Sequence, residues 1–275
     1  SIERMEKELQ AQIEICNEKF FEDLGKGGCD TKDPIFILGL PRAGSTLIEQ
    51  ILASHSMVDG TLELPNILSI AQSLRGDDIY GKLGNYPKSM ESLTLEERES
   101  LGKGYIEDTK MHRKEAPMFT DKMPNNFVHI GLIHLILPNA KIIDTRRNPM
   151  DCCFSCYKQL FGSGQGFTYS QNRIGNYYLD YLKIMDHWDK VLPGFVYKVQ
   201  HEDLLEDQET ITRELLEFCG LEFEPSTLEF YKNDRAVKTA SSEQVRVPIN
   251  KKGLNQWKNY EAWLGDLRYH LKEII

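Results

Sequence analysis

One stretch, Pro34-Ile35-Phe36-Ile37-Leu38-Gly39-Leu40-Pro41-Arg42-Ala43-Gly44-Ser45-Thr46-Leu47, constrains the fold more than any other part of this chain. An apolar run stops at Gly39, and a second glycine, Gly44, precedes residues that suit a helix. The two glycines have the spacing of a P-loop, Gly-x-x-x-x-Gly-Lys-Ser/Thr, with Thr46 in the hydroxyl position. This predicts a buried strand over 35–38, an anion-cradling loop and a helix from about Ser45 to Ser54. Converging backbone N–H groups and the positive end of the helix suit the loop to an anion. The lysine that reaches the β/γ-phosphates of ATP is missing. Ser45 stands in its place, and a cation appears three residues earlier as Arg42. The loop therefore points to transfer of an anionic group by something other than an ordinary ATPase.

Around it, apolar periodicity alternates between helix and strand. Residues 3–24 are amphipathic, with Met5, Leu9, Ile13, Cys16 and Phe20 on one side, and Gly25 to Asp33 form a linker. Helices are expected over 63–75 and 94–115, flanking a looser Gly- and Pro-containing stretch. A short strand at 118–120, a helix at 126–137 and a strand at 141–145 follow. Asn148-Pro149 reads as an N-cap with proline at the first helical position, opening a helix to about Leu160. A long helix at 171–191, a strand at 195–199 and further helices complete the chain. Such alternation predicts an α/β fold: a P-loop-like three-layer α/β/α arrangement with a central, mostly parallel sheet. Two parts are expected, an N-terminal helix and linker over 1–33 and the main domain over 34–275.

A chain of 275 residues with 27% charged side chains is long enough for such a core. Its formal charge of −9 argues against general binding to nucleic acid or anionic membrane. Positive charge for an anionic ligand must then be local. No apolar run reaches the length of a membrane span. The six cysteines show no repeated Cys-x-x-Cys pairing, which suits reduced thiols in a cytoplasmic protein. Cys152, Cys153 and Cys156 lack a partnering His or second cysteine pair at zinc spacing, so no metal site is expected.

A second constellation follows the 141–145 strand: Asp144-Thr145-Arg146-Arg147-Asn148-Pro149-Met150-Asp151-Cys152-Cys153-Phe154-Ser155. Ligands of open α/β sheets sit beyond the carboxyl ends of the strands, which is where Arg146 and Arg147 fall. Arginine is the side chain best shaped for forked binding of phosphate oxygens, and Ser155 lies about two turns into the next helix. The plain alternative is pairing of an arginine with Asp144 or Asp151.

Together the two motifs resemble the sulfotransferase family. Pro41-Arg42-Ala43-Gly44-Ser45-Thr46 is similar to its Pro-Lys/Arg-Ser-Gly-Thr-Thr loop, with Ala43 for the usual Ser. Arg147 followed by Ser155 resembles its Arg and Ser for a 3′-phosphate, and Asn250-Lys251-Lys252-Gly253 through Trp257-Lys258-Asn259-Tyr260 resembles the segment that closes over that phosphate. The third motif departs by Lys251 for Arg and by one residue fewer before Trp257. The Ser241-Ser242-Glu243-Gln244-Val245 segment and the short spacing look closest to the tyrosylprotein and TPR-linked bacterial branches. The helix at 3–24 resembles the segment that links TPR repeats to this domain in some bacterial members, which implies a possible TPR-type region beyond the N-terminus. The resemblance spans about residues 34–260. It implies 3′-phosphoadenosine 5′-phosphosulfate (PAPS) as co-substrate, 3′-phosphoadenosine 5′-phosphate (PAP) as product, and a hydroxyl or amine acceptor on a small molecule, sugar or peptide. Arg42, Ala43, Gly44, Ser45 and Thr46 would grip the 5′-phosphosulfate, and Arg147, Ser155, Lys251, Lys252 and Gly253 the 3′-phosphate.

The chemistry agrees with the altered loop. Sulfuryl transfer needs in-line positioning and stabilised charge, as phosphoryl transfer does, but the moving group carries less negative charge. Fixed cations and amides suffice without a bridging metal. Lys122, in Asp121-Lys122-Met123-Pro124, matches a family lysine facing the bridging oxygen, and with Arg42 it forms the catalytic cation set. Glu63 lies 21 residues after Arg42, a spacing similar to that of the catalytic Glu in tyrosylprotein sulfotransferases. As a carboxylate it is suited to take the acceptor's proton, and capping the helix it begins is its other reading. His55 is the rival base, and His201 takes the place of a Tyr near the adenine. The aromatics Phe161, Phe167, Tyr169, Tyr177, Tyr178 and Tyr181 either shape an acceptor pocket or fill the core. A metabolite kinase using ATP–Mg and a non-catalytic nucleotide-binding module are the alternatives.

Overall fold

In a computed structural model, residues 2–76, 84–162 and 165–275 are described. Five strands form one sheet: β1 (Pro34–Gly39), β2 (Val58–Asp59), β3 (Met118–Asp121), β4 (Lys141–Arg146) and β5 (Val196–Gln200). Their order is β2-β3-β1-β4-β5, and every pairing is parallel. The central strand β1 is buried along its whole length, as expected of a parallel sheet covered on both faces.

Strand alternation divides the core in two. Phe36 and Leu38 of β1 and Ile142 of β4 point to one side, among Leu132, Ile133, Phe154, Tyr181 and Trp188. Ile35, Ile37 and Ile143 point to the other, among Ile48, Ile51, Leu215 and Leu216. Helices 130–136, 149–157 and 171–191 therefore cover one face, and helices 45–52 and 208–219 the other. This is the α/β/α sandwich that the sequence pattern predicts. The N-terminal segment docks Leu9, Cys16 and Phe20 into the first of these cores. No described helix is long and apolar enough to cross a membrane.

Several boundaries differ from the expected ones, each for a local reason. The 3–24 helix is two, Ile2–Ile15 and Glu18–Leu24, because Asn17 caps the second by accepting from the Phe20 N–H at 3.0 Å. The helix expected from residue 63 begins at Asn66, since Pro65 disfavours helical geometry at the residue before it. Glu63 thus precedes the helix instead of opening it. The 94–115 helix spans Leu95–Asp108, started by a Thr94/Glu97 capping box, and a short turn follows at Lys110–His112. Pro124 opens a 3₁₀ turn to His129 before the α-helix Ile130–Ile136. The helix after Pro149 ends at Tyr157. Part of the loose stretch expected after residue 75, and residues 163–164 of the aromatic-rich segment, lie outside the described residues.

Candidate active site

Each strand delivers one candidate residue at its carboxyl end. Arg42 follows β1, Glu63 follows β2, Lys122 follows β3, Arg147 follows β4 and His201 follows β5. The chain approaches its chemistry as open α/β sheets do, beyond the carboxyl edge of the strands.

The loop after β1 is held in an uncommon shape. Arg42 has a φ of 67°, the left-handed region that side chains with a Cβ avoid, and Gly44 has a φ of 107°. A Cβ at Gly44 would lie 2.8 Å from His201 Nδ1, so only glycine lets the loop pass under this ring. The Pro41 carbonyl accepts from Cys156 Sγ at 3.0 Å and Cys152 Sγ at 3.5 Å. Two of the three clustered cysteines therefore brace the loop, and all six cysteines are free thiols. Leu47 and Ile48 both donate to the Gly44 carbonyl, leaving the Ser45 and Thr46 N–H groups ahead of the first helical bonds. Ala43 is buried against the core.

Beside the loop lies a cavity of about 390 Å³ whose lining includes Arg42, Gly44, Thr46, Arg147, Ser155, Lys158, His201, Lys252 and Gly253. Arg147 is nearly buried. Its Nη1 donates to the Arg42 carbonyl at 3.2 Å and its Nη2 to the Gly253 carbonyl at 2.6 Å, while Nε is buried without a partner. Tyr178 Oη in turn donates to the Arg147 carbonyl at 2.8 Å, which fixes the backbone of this residue. Ser155 Oγ accepts from Arg42 Nε at 3.1 Å. Asn148 accepts from the Met150 and Asp151 N–H groups and so sets the start of the helix that carries Ser155.

The electrostatics of this cavity favour an anion. Burial pushes Arg42 down from its usual range, and Arg147 adds to the effect. Burial, then Arg42 and Arg147, pushes Lys158 down as well. Cations crowded together in a chain of net charge −9 would be relieved by a shared anionic ligand. His201 is held down to about 4 by burial and by Arg147, so the imidazole facing the cavity is neutral at physiological pH.

A smaller cavity of about 60 Å³ adjoins on the other side of the loop, lined in part by Ser45, Glu63, Lys122, Pro124, Phe161 and Ser241. Lys122 forms an ion pair with Glu63; its own side chain is 2% exposed and that of Glu63 45%. The segment after residue 238 closes the loop from above. Thr239 Oγ1 lies 3.2 Å from Thr46 Oγ1, and Arg42 Nη1 donates to the Ala240 carbonyl and to Ser241 Oγ.

Of the residues singled out in the sequence, Arg42, Gly44, Thr46, Arg147, Ser155, Lys252 and Gly253 meet around the larger cavity, and Arg42, Ser45, Glu63 and Lys122 around the smaller. Lys251 does not join them; its ammonium pairs with Glu206 at the surface. Arg146 takes the plain alternative, pairing with Asp144 at 2.7 Å. His55 is no rival base: buried, it donates from Nε2 to the Glu222 carbonyl at 2.8 Å and accepts the Met57 N–H at Nδ1. Phe167, Tyr177, Tyr178 and Tyr181 are core, whereas Phe161 lines the smaller cavity.

The sequence profile of the Sulfotransferase family matches residues 34–225, which takes in β1 to β5 and all five residues at the strand ends. The chain belongs to the sulfotransferase family. An uncharacterized protein of Aquifex aeolicus is 40% identical over 263 residues, covering 93% of this chain and 34% of that protein. The chain thus spans about a third of the length of that relative. Among solved structures, the sulfotransferase domain of the Synechococcus PCC 7002 olefin synthase superposes with a TM-score of 0.60 at 18% identity, over 85% of this chain and 90% of that one. Mouse sulfotransferase SULT7A1, solved in complex with PAP, gives 0.50 at 13% identity over 89% and 84%. At these identities the likeness is one of fold.

Two features of this sulfotransferase chain escape a reading of its motifs. Lys158 stands one helical turn beyond Ser155, a spacing that would have placed it on the same cavity. Thr239 and Ser241 reach the loop across more than 190 residues of sequence, and no local pattern signals such a contact.

Proposed function

We propose that this chain transfers a sulfuryl group from PAPS to a hydroxyl or amine acceptor, with Glu63 as general base. In this reading the larger cavity holds the nucleotide: Arg147, Ser155, Lys252 and Gly253 toward the 3′-phosphate, and Arg42 with the 43–46 loop toward the 5′-phosphate. PAPS supplies the activated sulfuryl group. Glu63 takes the proton as the acceptor oxygen bonds to sulfur, and the bond from sulfur to the bridging oxygen breaks with its electron pair leaving on PAP. Lys122 and Arg42 offset the charge that gathers on that oxygen.

The observation that carries the reading is the pairing of Lys122 with Glu63 beside the 42–46 loop, across from the cation-rich cavity that holds Arg147. One loop would hold the donor between a base on one side and an anion site on the other. The buried, unpartnered Arg147 Nε and the lowered Arg42 and Lys158, each pushed down by burial and by Arg147, suit a polyanionic ligand. PAP in the mouse sulfotransferase of similar fold is consistent with this nucleotide. The free thiols favour the reducing cytoplasm as the setting.

The test is transfer of label from PAPS to a panel of phenols, alcohols, sugars, amines and tyrosine peptides. Wild type should label at least one, and Glu63→Gln should lower kcat for that acceptor by about 10²–10⁴-fold. Turnover within a few-fold of wild type would remove Glu63 as the base.

A further inference from the structure

A buried cluster lies next to both cavities and belongs to neither. Its centre is Arg235, which reaches two separate segments with one guanidinium. Nη2 pairs with Glu49 at 2.8 Å, and Nε donates to Gln50 Oε1 at 2.8 Å, both on the helix that follows the 42–46 loop. Nη1 donates to the Thr61 carbonyl at 3.1 Å, two residues before Glu63. Glu49 also accepts from Thr120 Oγ1 at 3.0 Å, and Thr120 Oγ1 accepts the Thr61 N–H at 3.1 Å. Thr61 Oγ1 donates back to the Thr120 carbonyl, two residues before Lys122. Gly60 leaves the passage open: a Cβ there would lie 2.9 Å from Arg235 Cδ and 2.6 Å from Ala53 Cβ.

We infer that Arg235 is a positioning residue that sets where Glu63 and Lys122 stand relative to the 42–46 loop. The geometry has no simpler reading as a lone ion pair. A buried Arg–Glu pair can often be replaced by apolar groups with no loss of stability, so the pair alone explains little. Here the planar fork reaches two chain segments at once, donating to Gln50 and to the Thr61 carbonyl while its charge faces Glu49, a task that a lysine or an apolar residue cannot perform. One of them, through Thr61, leads to Glu63, and Thr120, which is tied to both Glu49 and Thr61, leads to Lys122. Arg235 also stands at the base of the segment whose Thr239 and Ser241 touch Thr46 and Arg42. Arg246 holds that base by donating to the Asn233 and Arg235 carbonyls. The same residue therefore joins the strap over the loop to the strand ends that bear the proposed base and its lysine.

The inference rests on Glu63 as the base, and its test separates the two. Labelled PAPS with 4-nitrophenol as acceptor, PAP titration, and amide hydrogen exchange of the PAP-loaded protein are measured for wild type, Arg235→Gln and Gly60→Ala. Arg235→Gln should lower kcat by about a hundredfold through misplacement, with the Kd for PAP within about threefold of wild type. Amides of residues 57–64 should exchange faster, while those of β1 keep their protection. Gly60→Ala, which crowds Arg235 without removing it, should move the same readouts in the same direction and stands in if Arg235→Gln does not fold. A kcat within threefold of wild type, or unchanged exchange over 57–64, overturns the inference. A wild type that transfers no label from PAPS to any acceptor of the panel sinks the sulfuryl-transfer reading instead, and the exchange result still decides whether Arg235 tethers the segment.

Discussion

On one side of the 42–46 loop, Arg147 is tied to two backbone carbonyls, its own carbonyl is held by Tyr178, and Lys158, Lys252 and Ser155 stand around it. On the other side, Lys122 pairs with Glu63, whose carboxylate is nearly half open to solvent. In the larger cavity the Arg147 guanidinium is anchored by protein carbonyls before any ligand arrives. The smaller one sets the Lys122–Glu63 ion pair beside Arg42 and Ser45 of the loop. This contrast suits a protein that holds one invariant donor tightly and leaves room for an acceptor. Preorganised charge lowers the reorganisation needed on binding, and the half-exposed Glu63 proposed as base leaves room for different acceptors.

Substitutions on the two sides should separate accordingly. Lys122→Ala removes a buried cation beside the loop, and kcat with PAPS and any working acceptor should fall by about 10²–10³-fold while the Kd for PAP changes less than threefold. An unaffected kcat would show that the smaller cavity takes no part in the chemistry. Arg147→Ala should have the smaller and opposite signature: Kd for PAP weakened by about 10–100-fold, with kcat at saturating PAPS changed less. If both variants lost binding and turnover in the same proportion, the two sides would be one site without division of labour.

Much of this arrangement was legible in the chain itself, and the reason is local geometry. The strand–loop–helix of 34–52 and the strand–cap–helix of 141–157 carry their signals within a few residues: an apolar run, glycines at fixed spacing, an Asn-Pro helix start. Those signals place Arg42, Arg147 and Ser155 correctly at one edge of the sheet. Strand β2 gave no such signal, since Val58–Asp59 is only two residues long and is set by pairing with β3. Lys251 was misplaced because the adjacent Lys252 has the same chemistry, and only the turn of the backbone decides which faces the cavity. His55 looked like a free base because its carbonyl partner, Glu222, is far away in sequence. The Arg235 cluster was invisible for the same reason: its partners come from residues 49, 50 and 61 and meet only when the sheet is assembled.

The account turns on what the larger cavity is built to hold. Calorimetric titration of the protein with PAP, 5′-AMP and ATP–Mg measures that directly. PAP should bind at least about tenfold more tightly than 5′-AMP, because the 3′-phosphate gains charge-assisted bonds around Arg147. ATP–Mg should bind more weakly than PAP. Equal affinity for PAP and 5′-AMP, or tighter binding of ATP–Mg, would contradict the assignment of this cavity to a 3′-phosphorylated nucleotide.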